Sequence, residues 1–337
     1  MFESICVTRQ TQDGPGPVVD AGLLAEAMVF YQKVSVIGEQ AVLADLVAAC
    51  GPDTLVTLLE DGHLTLLYQP TMGAVATVGS GTRQERHTVC TVARAESDLQ
   101  AVAEGLFLTA TGKEGRSRRL ARRLVAHAKQ SPYDPAILEA ARSDIRDAPY
   151  LEDAASAVLS SLAPAYQLPV PTRFSVTEDS GYFGVESNID FATANEVYHR
   201  VVPASYSSLS PRDLLFKVVA TREHLSLAAV EGAELLISPT CSRLIGMRTD
   251  SLINASGASR KQLVRFQEMA FSDANAIREA VSSGEQTIAD LLPVLEKARK
   301  WKEWLAKQPD NANLVHEYYK SVVPGTWLNR LPSKVLR

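Results

Sequence analysis

Cysteine is scarce and scattered in this sequence: Cys6, Cys50, Cys90 and Cys241 are the only four, and no two form a CxxC pair. That pattern excludes a disulfide-stapled scaffold and reads as buried, reduced thiols. Long apolar runs are missing as well. A membrane-spanning helix needs about 20 predominantly apolar residues, whereas the best stretches, Ala21–Val29 and Ala41–Cys50, are short and carry Glu26 and Asp45. The longest charge-free stretch, Gly62–Thr82, contains Pro70 and several glycines and reads as strand–turn–strand. The opening MFESICVTRQTQDGPGP has no basic segment leading into an apolar core, so no signal peptide is visible. Neither sign of charge dominates. The 34 Lys and Arg against 39 Asp and Glu leave −5, which argues against general nucleic-acid affinity while permitting a local basic patch. A cytoplasmic location is expected.

What is present is an ordinary globular composition, with 46% hydrophobic and 22% charged residues over 337 positions. That suffices for one large or two ordinary domains with a buried core. A weakly alternating Ser4–Arg9 and the β-branched KVSVIG of Lys33–Gly38 predict strands. Apolar spacing predicts helices over Ala21–Tyr31, capped by Asp20, over Glu39–Cys50, and over Asp53–Glu60. His63–Gln69 and Ala74–Gly79 flank the turn residues Pro70–Gly73 as a hairpin, with Gln84–Ala95 as a third strand. From Glu96 to about Tyr166 the pattern is helical, and Ala163–Arg173, with three prolines, reads as a linker. A second hairpin pairs Arg173–Thr177 with Tyr182–Glu186. Beyond Asp190 the pattern is almost entirely helical. Ser210-Pro211-Arg212-Asp213 opens a long helix towards Leu236, and further helices are expected over Arg260–Phe271, Asp273–Ser282, Thr287–Lys307 and Asn313–Val322. The expected class is α+β, a mixed sheet with covering helices in the N-terminal part and a mostly helical C-terminal lobe. The expected parts are residues 1–165 and 166–337, which can share one core.

The strongest local anomaly is basic. Lys113–Lys129 carries seven Lys and Arg against Glu114 alone, a balance of +6 that leaves −11 for the remainder. On a helix Arg116, Arg119 and Arg123 share one face and Arg122 lies on the next, a surface suited to phosphates or an anionic membrane. The competing reading is a solvated helix whose arginines pair with acids elsewhere. No aromatic residue interleaves the cluster, which disfavours single-stranded nucleic acid. The remaining signals are negative. Gly79-Ser80-Gly81 and Thr111-Gly112-Lys113 lack the spacing of a phosphate loop, and the six histidines form neither HExxH nor HxH. His87 and Cys90, three apart on a strand, point to opposite faces. Glu186, Asn188 and Asp190 could share one strand face, as a wet strand also would. No metal site and no cofactor are expected.

Trp301, Trp304 and Trp327 gather near a basic end and suit an interface with a membrane surface or a docked helix. KxWL at Lys302–Leu305 and WLxxLPxKxLR at Trp327–Arg337 resemble the tail of bacterial proteins in which a glycine-rich apolar segment comes next. That resemblance implies membrane association through a segment beyond Arg337. The resulting expectation is a non-enzymatic interaction protein, the soluble body of a membrane-targeted bacterial effector. Arg116, Arg119, Arg122 and Arg123 would form its anion-binding face, and the three tryptophans its interface anchors. Its partner would be a protein or an anionic membrane surface, with nucleic acid less favoured. The alternatives are a hydrolase or transferase assembled from dispersed residues such as His87, Cys90, Glu186 and Asp190, and a nucleic-acid-binding regulator.

Overall fold

The computed structural model describes residues 2–8, 18–79, 85–93, 98–130, 133–231, 233–236, 240–241, 243–247 and 275–305. The chain begins with β1 (Phe2–Val7), α1 (Ala21–Phe30), β2 (Tyr31–Gly38), α2 (Gln40–Cys50), α3 (Pro52–Glu60) and β3 (Thr65–Tyr68). Asp20 starts α1 by accepting the Leu23 N–H at 2.9 Å, which satisfies one of the helix's orphan donors. Next come β4 (Thr71–Val78), β5 (Arg86–Ala93), α4 (Leu99–Thr111), α5 (Glu114–His127), the short β6 (Lys129–Gln130), α6 (Pro135–Arg146) and α7 (Ala148–Leu162). The described chain continues through β7 (Phe174–Asp179), β8 (Tyr182–Ser187), α8 (Phe191–Tyr198), α9 (Pro211–Glu231) and β9 (Glu234–Leu236). It closes with α10 (Asn275–Ser282), a 3-10 turn over Ile288–Leu291, and α11 (Leu292–Leu305).

The class is α+β, built on two separate sheets. One is all parallel, in the order β6-β3-β2-β1-β9, and the other is all antiparallel, in the order β4-β5-β8-β7. Side-chain alternation sorts the parallel sheet into two buried faces. Ile5 and Val7, Val34 and Val36, and Leu66 and Tyr68 join the larger core beneath α1 to α5, α10 and α11. Cys6, Ile37 and Leu67 point the other way, against Leu227 and Ala228 of α9. The second core lies between the antiparallel sheet and α6, α7, α8 and α9, around Phe174, Phe183, Leu215 and Val218. Both sheets cross the junction at residues 165 and 166, since β5 pairs with β8 and β1 with β9.

Three elements differ from the sequence reading, one of them the two-residue strand β6 within a stretch read as helical. β3 and β4 do not pair as a hairpin. Pro70 carries the chain out of the parallel sheet, where β3 pairs with β2 and β6, into the antiparallel one, where β4 pairs with β5. The long helix from Pro211 stops at Glu231, and Glu234–Leu236 adds a parallel strand beside β1. The expected helices over Arg260–Phe271 and Asn313–Val322 lie outside the described residues. Among the described residues no single helix is long and apolar enough to cross a membrane, and the one bent pair, α2 with α3, turns by 103°. None of the four cysteines forms a disulfide, and Cys6, Cys50 and Cys241 are buried.

Candidate functional site

In a parallel sheet the strand carboxyl ends all open at one edge, and backbone geometry there leaves a crevice that side chains from the following loops can line. Here that edge is formed by Gly38 and Glu39 after β2 and by Gln69 after β3. The Gln69 N–H donates to the Gly38 carbonyl at 3.0 Å and fixes the two ends side by side. Gly38 is required by space: a Cβ there would stand 2.3 Å from Val42 Cγ2, so only glycine lets α2 follow so closely. Glu39 occupies the N-cap position of α2, yet its side chain makes no capping hydrogen bond. It lines a narrow crevice of about 20 Å3, room for roughly one water-sized group, together with Gly38, Gln69, Met72, Glu223 and His224.

α9 forms the opposite wall. Its Glu223 is buried, and its Oε2 accepts the Gly73 N–H at 3.1 Å, which ties α9 to the start of β4. Burial, and after it the charge of Glu39, pushes the Glu223 carboxyl up to about 7, although the Gly73 bond pulls the other way. Gly73 also has no room for a side chain. A Cβ would meet Val219 Cγ1 at 2.8 Å, Tyr133 Oη at 3.0 Å and Glu223 Oε2 at 3.2 Å. The Tyr133 hydroxyl lies on the other side of Gly73, and burial followed by the Glu223 charge holds its proton more tightly than usual.

The polar groups here are incompletely satisfied. Gln69 Nε2 and Tyr133 Oη are buried and have no hydrogen-bond partner among the described residues, and the same holds for Thr221 Oγ1 on α9 and Thr8 Oγ1 after β1. α9 itself is fixed from outside the cleft. Arg222 forms two 2.6 Å hydrogen bonds with buried Asp144 of α6, and Lys33 of β2 reaches Glu231 at 2.7 Å. The crevice therefore has fixed walls, two carboxylates, an imidazole and an amide, with the Tyr133 phenol near Gly73. Such a set can exchange a proton with a small polar molecule and hydrogen-bond it on several sides.

No protein-family model, curated protein or solved structure matches the chain. The functional reading rests on this geometry.

The residues singled out by sequence lie elsewhere. Arg116 and Arg123 of α5 pair across to α3: Arg116 with Asp53 at 2.7 Å, and Arg123 with Glu60 through two bonds of 2.7 and 2.6 Å. Arg119 and Arg122 are exposed and form no ion pair among the described residues. Trp301 and Trp304 lie on α11, and Trp327 lies outside the described residues. His87 is buried in β5, where its Nδ1 meets Thr77 Oγ1 at 3.1 Å, and burial lowers its pKa. Asp190 caps α8 by accepting the Ala192 and Thr193 N–H groups, and Glu186 is exposed on β8 beside Ser175. Glu39, Gln69, Tyr133, Glu223 and His224 were not found from sequence. The available signal was positional: Glu39 follows a β-branched strand directly, and Gln69 follows an apolar one.

Proposed function

We propose that a single hydroxyl or amino group of a small molecule enters the crevice at the carboxyl edge of the parallel sheet, the rest of the molecule staying outside, with Glu223 accepting a proton from that group. One observation carries this reading. Gln69 Nε2, which lines the crevice that holds Glu223, is buried without a hydrogen-bond partner among the described residues, as is Tyr133 Oη on the far side of Gly73. An unsatisfied buried donor or acceptor costs about 1–3 kcal/mol. Against a net stability of only about 5–15 kcal/mol, such a group supports an occupant that completes it, and a crevice of this size admits one hydroxyl, amino group or water. Two facing carboxylates complement a donor-rich molecule. A base also works best with a pKa near the working pH, where the Glu223 carboxyl stands. Ligand-observed NMR with a panel of small polyols, amines and amino acids tests the proposal. Members of that class should bind the wild type and lose about tenfold or more in affinity in both Gln69→Leu and Glu223→Leu. A panel without binders, or binding that both variants leave unchanged, refutes the reading.

A second reading is favoured by a separate observation. Exposed Arg119 and Arg122, with no ion pair among the described residues, support a docking face for an anionic membrane surface or an acidic protein on α5.

A further inference from the structure

Away from that cleft, the turn that ends α3 brings together three groups of metal-ligating type. α3 finishes at Glu60, and Gly62, with φ +74°, reverses the chain so that Asp61 and His63 flank one turn. The turn is pinned by the Leu64 N–H, which donates to the Leu58 carbonyl at 3.1 Å. α11 crosses here and presents Glu296. His63 Nε2 lies 3.3 Å from Glu296 Oε1, and one ligand atom from each of Asp61, His63 and Glu296 falls within 4.8 Å of the other two.

We infer that Asp61, His63 and Glu296 form a binding site for a divalent transition-metal ion. With metal–ligand bonds of about 2.0–2.1 Å, neighbouring donors on a tetrahedral centre stand roughly 3.3 Å apart, the separation already present between His63 and Glu296. One imidazole with two carboxylates suits Zn2+ or Mn2+ better than Mg2+, which keeps to oxygen ligands. The carboxylate is oriented from behind: Arg299 Nη2 donates to Glu296 Oε2 at 3.0 Å and leaves Oε1 towards His63. Lys302, the other nearby cation, directs its Nζ at the carbonyls of Met28 and Tyr31, 2.6 Å from each, at the end of α1. Asp61 and His63 border a cleft of about 200 Å3 that is also lined by Gln32, Leu295, Arg299 and Lys302. A bound ion would keep positions open to water or an anionic ligand there, as reactive metal sites do and closed structural ones do not.

The test uses the full chain after EDTA treatment, titrated calorimetrically with Zn2+ and with Mn2+, and with Mg2+ as a control. One Zn2+ per chain should bind saturably, and Mg2+ should not. His63→Ala and Glu296→Gln, each checked for native circular dichroism, should both abolish that uptake. Absence of saturable uptake at about 100 µM free Zn2+, or uptake unchanged in folded Glu296→Gln, overturns the inference. If His63→Ala fails to fold, Glu296→Gln decides alone.

Discussion

Replacing Glu223 by glutamine tests the cleft quantitatively, because the carboxyl's burial is written into the pH dependence of folding. Glu223 is 4% exposed, and its pKa is raised from 4.5 to about 7, first by burial and then by the charge of Glu39. Between those two values the folded state holds a proton that the unfolded chain has released. Stability therefore falls with rising pH, by about 1.4 kcal/mol per pH unit. Across the interval from 4.5 to about 7 the loss reaches about 3 kcal/mol. The contribution is fully present below the unfolded value and gone once pH has passed the folded one. Glu223→Gln keeps an acceptor for the Gly73 N–H and never ionises. It should match the wild type near pH 4 and exceed it by about 3 kcal/mol near pH 8. With an unfolding entropy of about 2.1 cal/mol/K per residue, that is about 4 °C in Tm at the alkaline end. His63 and His87, whose burial lowers their pKa values, tilt the curve the other way but are common to both proteins. The difference between the two curves thus isolates Glu223. Urea unfolding followed by circular dichroism from about pH 4 to about pH 8 measures it. Parallel curves for the two proteins would show that the carboxyl is solvated in the folded state, and the account of the cleft would fall.

Two further outcomes are expected. Asp144→Asn should destabilise the fold by about 3–5 kcal/mol, because Asp144 is 2% exposed and its loss strands the Arg222 guanidinium between α6 and α9; an unchanged urea midpoint would show that α9 is held by packing alone. Reversing Arg119 and Arg122 to glutamate should abolish binding to phosphatidylserine vesicles while leaving Tm unchanged, since neither arginine pairs with another described residue; equal binding before and after reversal removes the α5 docking face.

Much of the parallel sheet was legible because its strands obey local rules. The KVSVIG run announced β2, and the Asp20 cap announced α1. The turn at Pro70–Gly73 was misleading for a physical reason: proline and glycine break a strand in the same way whether the chain then reverses or departs for another sheet. The clue lay in β3 itself, where Leu66, Leu67 and Tyr68 are consecutive and all buried, as a central parallel strand requires and an alternating hairpin strand does not. β6, with two residues, and β9, with three, are too short to carry a period, and only their pairing with β3 and β1 makes them strands. The basic segment was legible as a helix. Its pairing was not, because Asp53 and Glu60 belong to another helix.

The site stayed hidden because α9 has no clean polar stripe. An ordinary surface helix turns one face to the core and can be read by its amphipathicity. α9 runs between two cores: Val218 and Val219 enter the antiparallel one, Ala228 covers the parallel sheet, and Arg222 reaches outward to α6. Burial on several sides mixes apolar and polar residues around its whole circumference. Glu223 and His224 consequently look like unremarkable helix charges in sequence. The same sandwiching gives them their chemistry, since a carboxylate held between two sheets loses its water and gains a raised pKa where a surface glutamate would not. A helix with little amphipathic periodicity is thus the one on which the two sheets, their cores and the cleft converge.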